Sequence, residues 1–290
     1  MAESMLTDVA IRSTPRVEKA RGFRLFWATV WARAYPRIVG ATREMSWLFF
    51  ETLLPLLSVA AYVFVYKAIG APEDYIGFVV VGGAMTAFWL NVLWSMASQL
   101  YWDKDQGNLE LYVLSPGPLT AILLGMAVGG LVMAGVRAVA ILVVASLVFK
   151  VTYAVGSIPL LLLTFLLTMS ALYGMGMMFA SIFLASGREA WHLANLLQEP
   201  IYLVSGFYFP VKALGFWVAT AASIIPLTVG LDAMRQLLFT SDPTLGFLSV
   251  EVELSILVVL TVVFISAAYF LLAKLEEIGR REGRLIERRR

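Results

Sequence analysis

The run from Leu119 to Phe149 constrains this chain more than any other stretch. It is continuous and apolar, with Arg137 as its single ionisable residue. About 20 such residues cross the ~30 Å of a bilayer's hydrocarbon as an α-helix. In that medium the backbone must satisfy its own hydrogen bonds, which leaves helices or closed barrels. Further runs lie at about Met45–Tyr66, Ile76–Leu100, Ile158–Leu184 and Leu254–Ala273. A barrel would instead show ~10-residue segments of alternating polarity, and none is evident. Composition agrees. The chain is 60% hydrophobic and 14% charged, where a soluble domain carries about 25% charged residues. The expected fold is an all-α polytopic membrane protein.

Charge placement sets the expected topology. Of 22 Lys and Arg residues, eight precede Met45 and seven lie from Lys274 onward. Positive flanks stay in the cytoplasm, so both termini are expected there, which requires an even number of spans. No apolar core follows the first basic residues, so the N-terminus does not read as a cleavable signal peptide. Cysteine is absent, which excludes disulfides, thiolate metal sites and cysteine nucleophiles. His192 is the single histidine, so bis-histidine haem ligation within the chain is excluded. No GxxxxGK[ST] string is present, so nucleotide hydrolysis by a P-loop is not expected of this chain.

The expected organisation is one transmembrane domain over 17–273, between a disordered tail at 1–16 and a basic cytoplasmic tail at 274–290. Between Val17 and Val39, Phe23, Phe26, Trp27, Val30, Trp31 and Ala34 recur at helical spacing among Arg21, Arg24, Arg33 and Arg37. That pattern predicts an amphipathic helix on the cytoplasmic leaflet with arginines reaching headgroups. Six spans are expected, at about 45–66, 76–100, 119–149, 158–184, 190–209 and 254–273. Pro200, Pro210, Lys212 and Gly215 break the region after Ala190. It is too short for two full crossings, so 210–225 is expected to re-enter from the outer face, where protein covers its free backbone groups. A short outer helix is predicted from Gly230 to Phe239. Gly125 and Gly129 have the small-xxx-small spacing that lets helices approach closely.

Between the second and third spans lies Asp103–Pro118, DKDQGNLELYVLSPGP. Asp103, Asp105 and Glu110 stand there against Lys104 alone. A cytoplasmic loop with an acidic excess runs against the charge rule, so it suggests a partner; a solvated turn is the plainer reading. Gly107–Leu114 can form a short amphipathic helix with Leu111 and Leu114 one turn apart. Ser115-Pro116 then ends it, because proline lacks an N–H and restricts its neighbour.

This loop carries a resemblance. GNLELYVLSPGPLTAILLG is similar to the cytoplasmic loop of ATP-binding-cassette exporter permeases of the type-two family, where (E)xGTLExLxxSP precedes the third span. The string NLLQEPIYLVSGFYFPV, from Asn195 to Val211, resembles the same family's fifth span, which often ends in SGxxFP. Ile225-Pro226-Leu227-Thr228 followed by Asp232-Ala233-Met234-Arg235 resembles its (L)PxTxxxDxxR. The sequence departs from the pattern at Asn108, where Thr is frequent, and at Asp105-Gln106, where Glu-Lys or Glu-Arg is more usual.

The resemblance implies a type V exporter fold and a permease half that dimerises with a second copy or homologue. Separate P-loop ATPase subunits would bind ATP and Mg; no cofactor is expected in this chain. Gly107 to Pro116 would be the coupling helix in the ATPase cleft, with Asp105, Gly107, Glu110, Leu111, Leu114, Ser115 and Pro116 as the ATPase-coupling residues. A path lined by the second and fifth spans would involve Asn91, Trp94, Asn195, Gln198, Glu199 and Tyr202. The implied location is the plasma (cytoplasmic) membrane. The expected cargo is a hydrophobic or amphipathic compound, drug- or lipid-like, moved out of the cytoplasm or inner leaflet. A polysaccharide or glycolipid is the alternative cargo.

Other classes fit less well. A membrane-embedded lipid-modifying enzyme should show clustered Asp or His at the membrane face, and Asp103 and Asp105 are the only close aspartate pair on the cytoplasmic side. A carrier of the inverted-repeat kind should show two broken regions, and one is visible. Glu51 and Arg137 are the clearest charges inside spans, where insertion costs ~2.5–3.5 kcal/mol each. Either they neutralise each other, or Glu51 meets the arginines of the interfacial helix. Both read as structural. Asp232 and Arg235, three apart, are expected to pair on the outer helix.

Overall fold

The computed structural model describes residues 22–43, 45–186, 189–239 and 246–282. The tail expected at 1–16 and most of the basic residues near the C-terminus lie outside these.

Every regular segment among the described residues is helical. Helix α1 spans Phe23–Arg43 and α2 spans Met45–Ala68. The second crossing is α3, Asp74–Leu90, then a π-helical segment, Asn91–Ala97, then α4, Gln99–Asp105. Helix α5 is Leu109–Leu114, α6 Leu119–Phe149 and α7 Ile158–Ser186. After these come α8, Ala190–Val204, a 3-10 turn at Val211–Leu214, α9, Phe216–Ala222, α10, Pro226–Leu238, and α11, Val250–Glu282.

Five helices are long and apolar enough to cross a membrane, or six if α9 and α10, bent by 110°, count as one broken span. This is a multi-pass membrane protein. The second crossing is its centre: 89% of its apolar window is buried inside the protein, against 17% for α2 and 22% for α11. Those peripheral helices keep Leu54, Leu57, Val259 and Val262 exposed, as lipid-facing positions require. The core around Trp89, Leu93 and Met96 joins α3 and the π-helical segment to α7 through Leu172 and Phe183.

Several boundaries move. The predicted second span ended near Leu100, but the helix continues to Asp105. The last helix begins at Val250, before the expected Leu254. The predicted fifth span, 190–209, is only the 15-residue α8, ~22 Å at 1.5 Å per residue, and the chain turns at Gly206 with φ +68°. Helix α9 begins within the stretch predicted to re-enter, and α10 turns sharply from it.

The stretch expected to form an amphipathic helix is helical as α1, from Phe23, and two of its arginines turn inward. Helix α1 packs along α6, in a groove left by glycines at the predicted spacing. A methyl group on Gly125 would stand 2.5 Å from the Val30 carbonyl oxygen and 2.7 Å from Arg33 Cβ. One on Gly129 would stand 3.1 Å from the Ala34 carbonyl oxygen. Val30 and Ala34 are buried there. The face bearing Arg33 and Arg37 is therefore turned toward the bundle, while Trp27 and Trp31 stay exposed.

Candidate functional site

The segment singled out in the sequence is organised around Asp103. This aspartate is buried, at 3% exposure. Its Oδ2 accepts from Arg33 Nη2 at 3.1 Å and from the Tyr112 hydroxyl at 3.0 Å; its Oδ1 accepts from Gln99 Nε2 at 3.0 Å. The Arg33 guanidinium also lies over the Tyr112 ring, 5.0 Å from its centroid. One carboxylate thus ties α1, the end of α4 and α5 together. Charge-assisted bonds are about twice as strong as neutral ones. Burial pushes the Tyr112 phenol up to about 12, so it remains a donor at neutral pH. Asp103 is accordingly structural, and the expectation that all the loop's acids face a partner is corrected.

The rest of the segment is built for a sharp turn. Gly107 takes φ +82°, a left-handed conformation that favours glycine. Leu109 is buried against a cluster containing Leu100, Ile122, Leu123 and Leu272. Ser115 turns extended (ψ 142°) and ends α5; its Oγ accepts from the Gly117 N–H at 3.3 Å. Leu111 is 65% exposed, and Asp105 and Pro116 are exposed with it. Helix α5 therefore has an inner edge at Leu109 and a free edge at Leu111. The side chains of Glu110 and Leu114 lie outside the described ones.

The second group of predicted residues is only partly assembled. Trp94, in the π-helical segment, donates from Nε1 to Gln198 Oε1 at 2.6 Å. Gln198 Nε2 donates to Glu199 Oε1 at 3.2 Å. Trp191 joins them, 4.9 Å from Trp94 and 5.9 Å from Trp102 between ring centroids. Glu199 and Asn195 are exposed on α8, and Asn195 Nδ2 donates to the Trp191 carbonyl at 2.9 Å. Tyr202 packs on Phe207, centroids 5.2 Å apart. Asn91 is placed elsewhere: it is buried, and its Oδ1 accepts from the Tyr173 hydroxyl at 3.1 Å. Nothing in the sequence marked the π-helical turns that part Asn91 from Trp94 in this way, although such turns are frequent at functional sites.

Glu51 and Arg137 pair, so the first of the two open readings holds. They line a cleft of about 140 Å³ with Arg37, Asn91 and Ser95. Arg37 donates to the carbonyl oxygens of Met126, at 3.1 Å, and Ser95. Burial, then the nearby Arg33 charge, pull Arg37 down to about 10, so it stays protonated at neutral pH.

On the predicted outer side, Asp232 and Arg235 do not form the expected ion pair. Arg235 is buried, and its two terminal nitrogens donate to the carbonyls of Gly206 (2.6 Å), Phe209 (3.3 Å), Phe78 (2.8 Å) and Phe207 (2.7 Å). Asp232 instead accepts from the Phe247 N–H at 2.7 Å and from Gln236 Nε2 at 3.3 Å. Spacing alone suggested a helix-surface pair, but on a largely buried helix tertiary partners take both residues. Among the described residues no group of three or more His, Cys, Asp or Glu side chains is placed to hold a metal ion.

Comparison with known proteins agrees with this architecture. Residues 27–239 match the family model described as ABC-2 type transporter. The chain is 27% identical over 167 residues, 58% of its length, to the protein described as "Probable multidrug ABC transporter permease YbhR" from Escherichia coli K12; the same protein from E. coli O157:H7 matches equally. The alignment covers 44% of those relatives, so the chain matches less than half of their length. The family model covers everything from the aromatic face of α1 to the end of α10, including the loop at Asp103 and the Arg235 clamp, and the chain belongs to the ABC-2 type transporter permeases.

Proposed function

We propose that this chain is the membrane subunit of an ATP-driven exporter. Two copies, or one copy and a homologue, pair in the plasma membrane with both termini cytoplasmic. Separate P-loop ATPases dock on the segment 103–118. Closure of the ATPases presses on α5, and the movement passes through Asp103 to α1 and the second crossing, and through Ser115-Pro116 to α6. The observation that carries this reading is the Asp103 junction: a partner pushing the exposed Leu111 edge would move three elements as one.

Trp94, Trp191, Gln198, Glu199 and Tyr202 form the part of the cargo path that this chain contributes. Aromatic rings beside an amide and a carboxylate suit an amphipathic compound, drug- or lipid-like. The likeness to E. coli proteins described as probable multidrug transporter permeases supports a drug-type cargo. Co-purification with the cognate ATPase, followed by ATP turnover in proteoliposomes, tests the coupling. Glu110→Arg should reduce ATPase binding and transport-linked turnover; unchanged values of both would sink the assignment.

A further inference from the structure

The cleft between α1, α2, α6 and the π-helical segment has no part in the coupling or cargo readings. Among the described residues that line it, Arg37 and Arg137 face one carboxylate, Glu51. Ionised groups are costly at this depth unless paired. Among the described residues Arg37 donates to two backbone carbonyls, which relieve its desolvation without neutralising it. Arg137 is 6% exposed, and its Nε is buried with no hydrogen-bond partner. A guanidinium has five N–H donors in a planar fork suited to phosphate. Leu48 and Met133 complete the wall with apolar surface. At ~30 Å³ per water the space holds roughly four to five waters, enough for a phosphodiester group.

We infer that this cleft is a binding site for the phosphate of an anionic phospholipid, held between Arg37 and Arg137 with the acyl chains leaving along Leu48 and Met133. The lipid phosphate adds negative charge beside both guanidiniums, and Glu51 holds one nitrogen of Arg137. Bound lipid would join α1 to α2, which otherwise share few contacts. The inference does not depend on the path of the cargo or on ATPase docking.

The test uses the full-length chain in mild detergent, with retained lipid counted by native mass spectrometry. Three probes separate the sources: phosphatidylglycerol, diacylglycerol with the same acyl chains but no phosphate, and inorganic phosphate. Phosphatidylglycerol should be retained about tenfold better than diacylglycerol. Arg37→Gln should remove about tenfold of that preference. The double variant Glu51→Gln/Arg137→Gln should do the same while removing the ion pair as a unit, so that no unpaired Glu51 is left behind and a folding defect does not obscure the result. Equal retention of the two lipids, or unchanged preference in both variants, would overturn the site. A thermal shift by inorganic phosphate that phosphatidylglycerol does not exceed would support the anion site and overturn the lipid as its occupant.

Discussion

Arg33 and Asp103, 70 positions apart, are joined at 3.1 Å, and the aspartate spends its remaining acceptor capacity on Gln99 and Tyr112. Removing one partner of such a junction leaves a buried charge uncompensated, which costs ~3–5 kcal/mol when the pair is fully buried. Arg33 keeps 27% side-chain exposure, so the lower end applies. Asp103→Ala should destabilise the purified chain by about 3 kcal/mol. Arg33→Gln/Asp103→Asn, which retains hydrogen-bonding groups without charge, should cost less than the sum of its single variants. Denaturant unfolding followed by tryptophan fluorescence reads both.

The groove at Gly125 and Gly129 has no room for a larger side chain. Gly125→Val forces its Cβ against the Val30 carbonyl, which stands 2.5 Å away. Overpacking of this kind costs ~1–3 kcal/mol and falls on the α1–α6 contact alone. Limited proteolysis should cut faster within α1, while the second crossing stays protected.

Arg235 donates to four backbone carbonyls from two segments of the chain. Gly82 lies directly beneath, where an added methyl would collide with the Phe207 carbonyl. Arg235→Lys keeps the charge but loses the fork, and a single ammonium cannot meet four acceptors set by guanidinium geometry. The variant should lose ~3 kcal/mol or more by leaving buried carbonyls unsatisfied. Protease access to 205–215 should rise with it, measured as the cleavage rate after Phe207 or Phe209.

Glu199 is exposed, so its loss should leave assembly intact. Glu199→Ala is expected to reduce export several-fold with normal ATPase co-purification, read by dye or drug efflux from proteoliposomes. Trp94→Phe keeps a ring and removes the 2.6 Å bond to Gln198; a smaller loss is expected, about what one hydrogen bond of ~1 kcal/mol supplies. Normal export by Glu199→Ala would reject its place on the path.

Much of this architecture was set by local properties of the chain. Apolar runs longer than a bilayer is thick fix crossings, because no other local structure satisfies a backbone in hydrocarbon. Leu119–Phe149 was therefore delimited to the residue, and Gly125 and Gly129 announced a close helix neighbour. Ser115-Pro116 marked the end of α5 by backbone chemistry alone, whereas Gly107, read as the first residue of that helix, forms the left-handed turn before it. What the sequence left undecided was which partners those elements would meet. Asp103 read as an acid free for a partner until α1 supplied Arg33 from 70 positions away. Asp232 and Arg235 read as a surface pair until packing buried α10 and offered both residues closer partners. Asn91 and Trp94 both lie in a π-helical segment that leaves no residue signature, and they meet different partners there. Periodicity reports which groups a single helix can present. The distribution of a few buried charges over many carbonyls and carboxylates is settled only when the helices pack, because each pairing depends on distances that the linear chain does not contain.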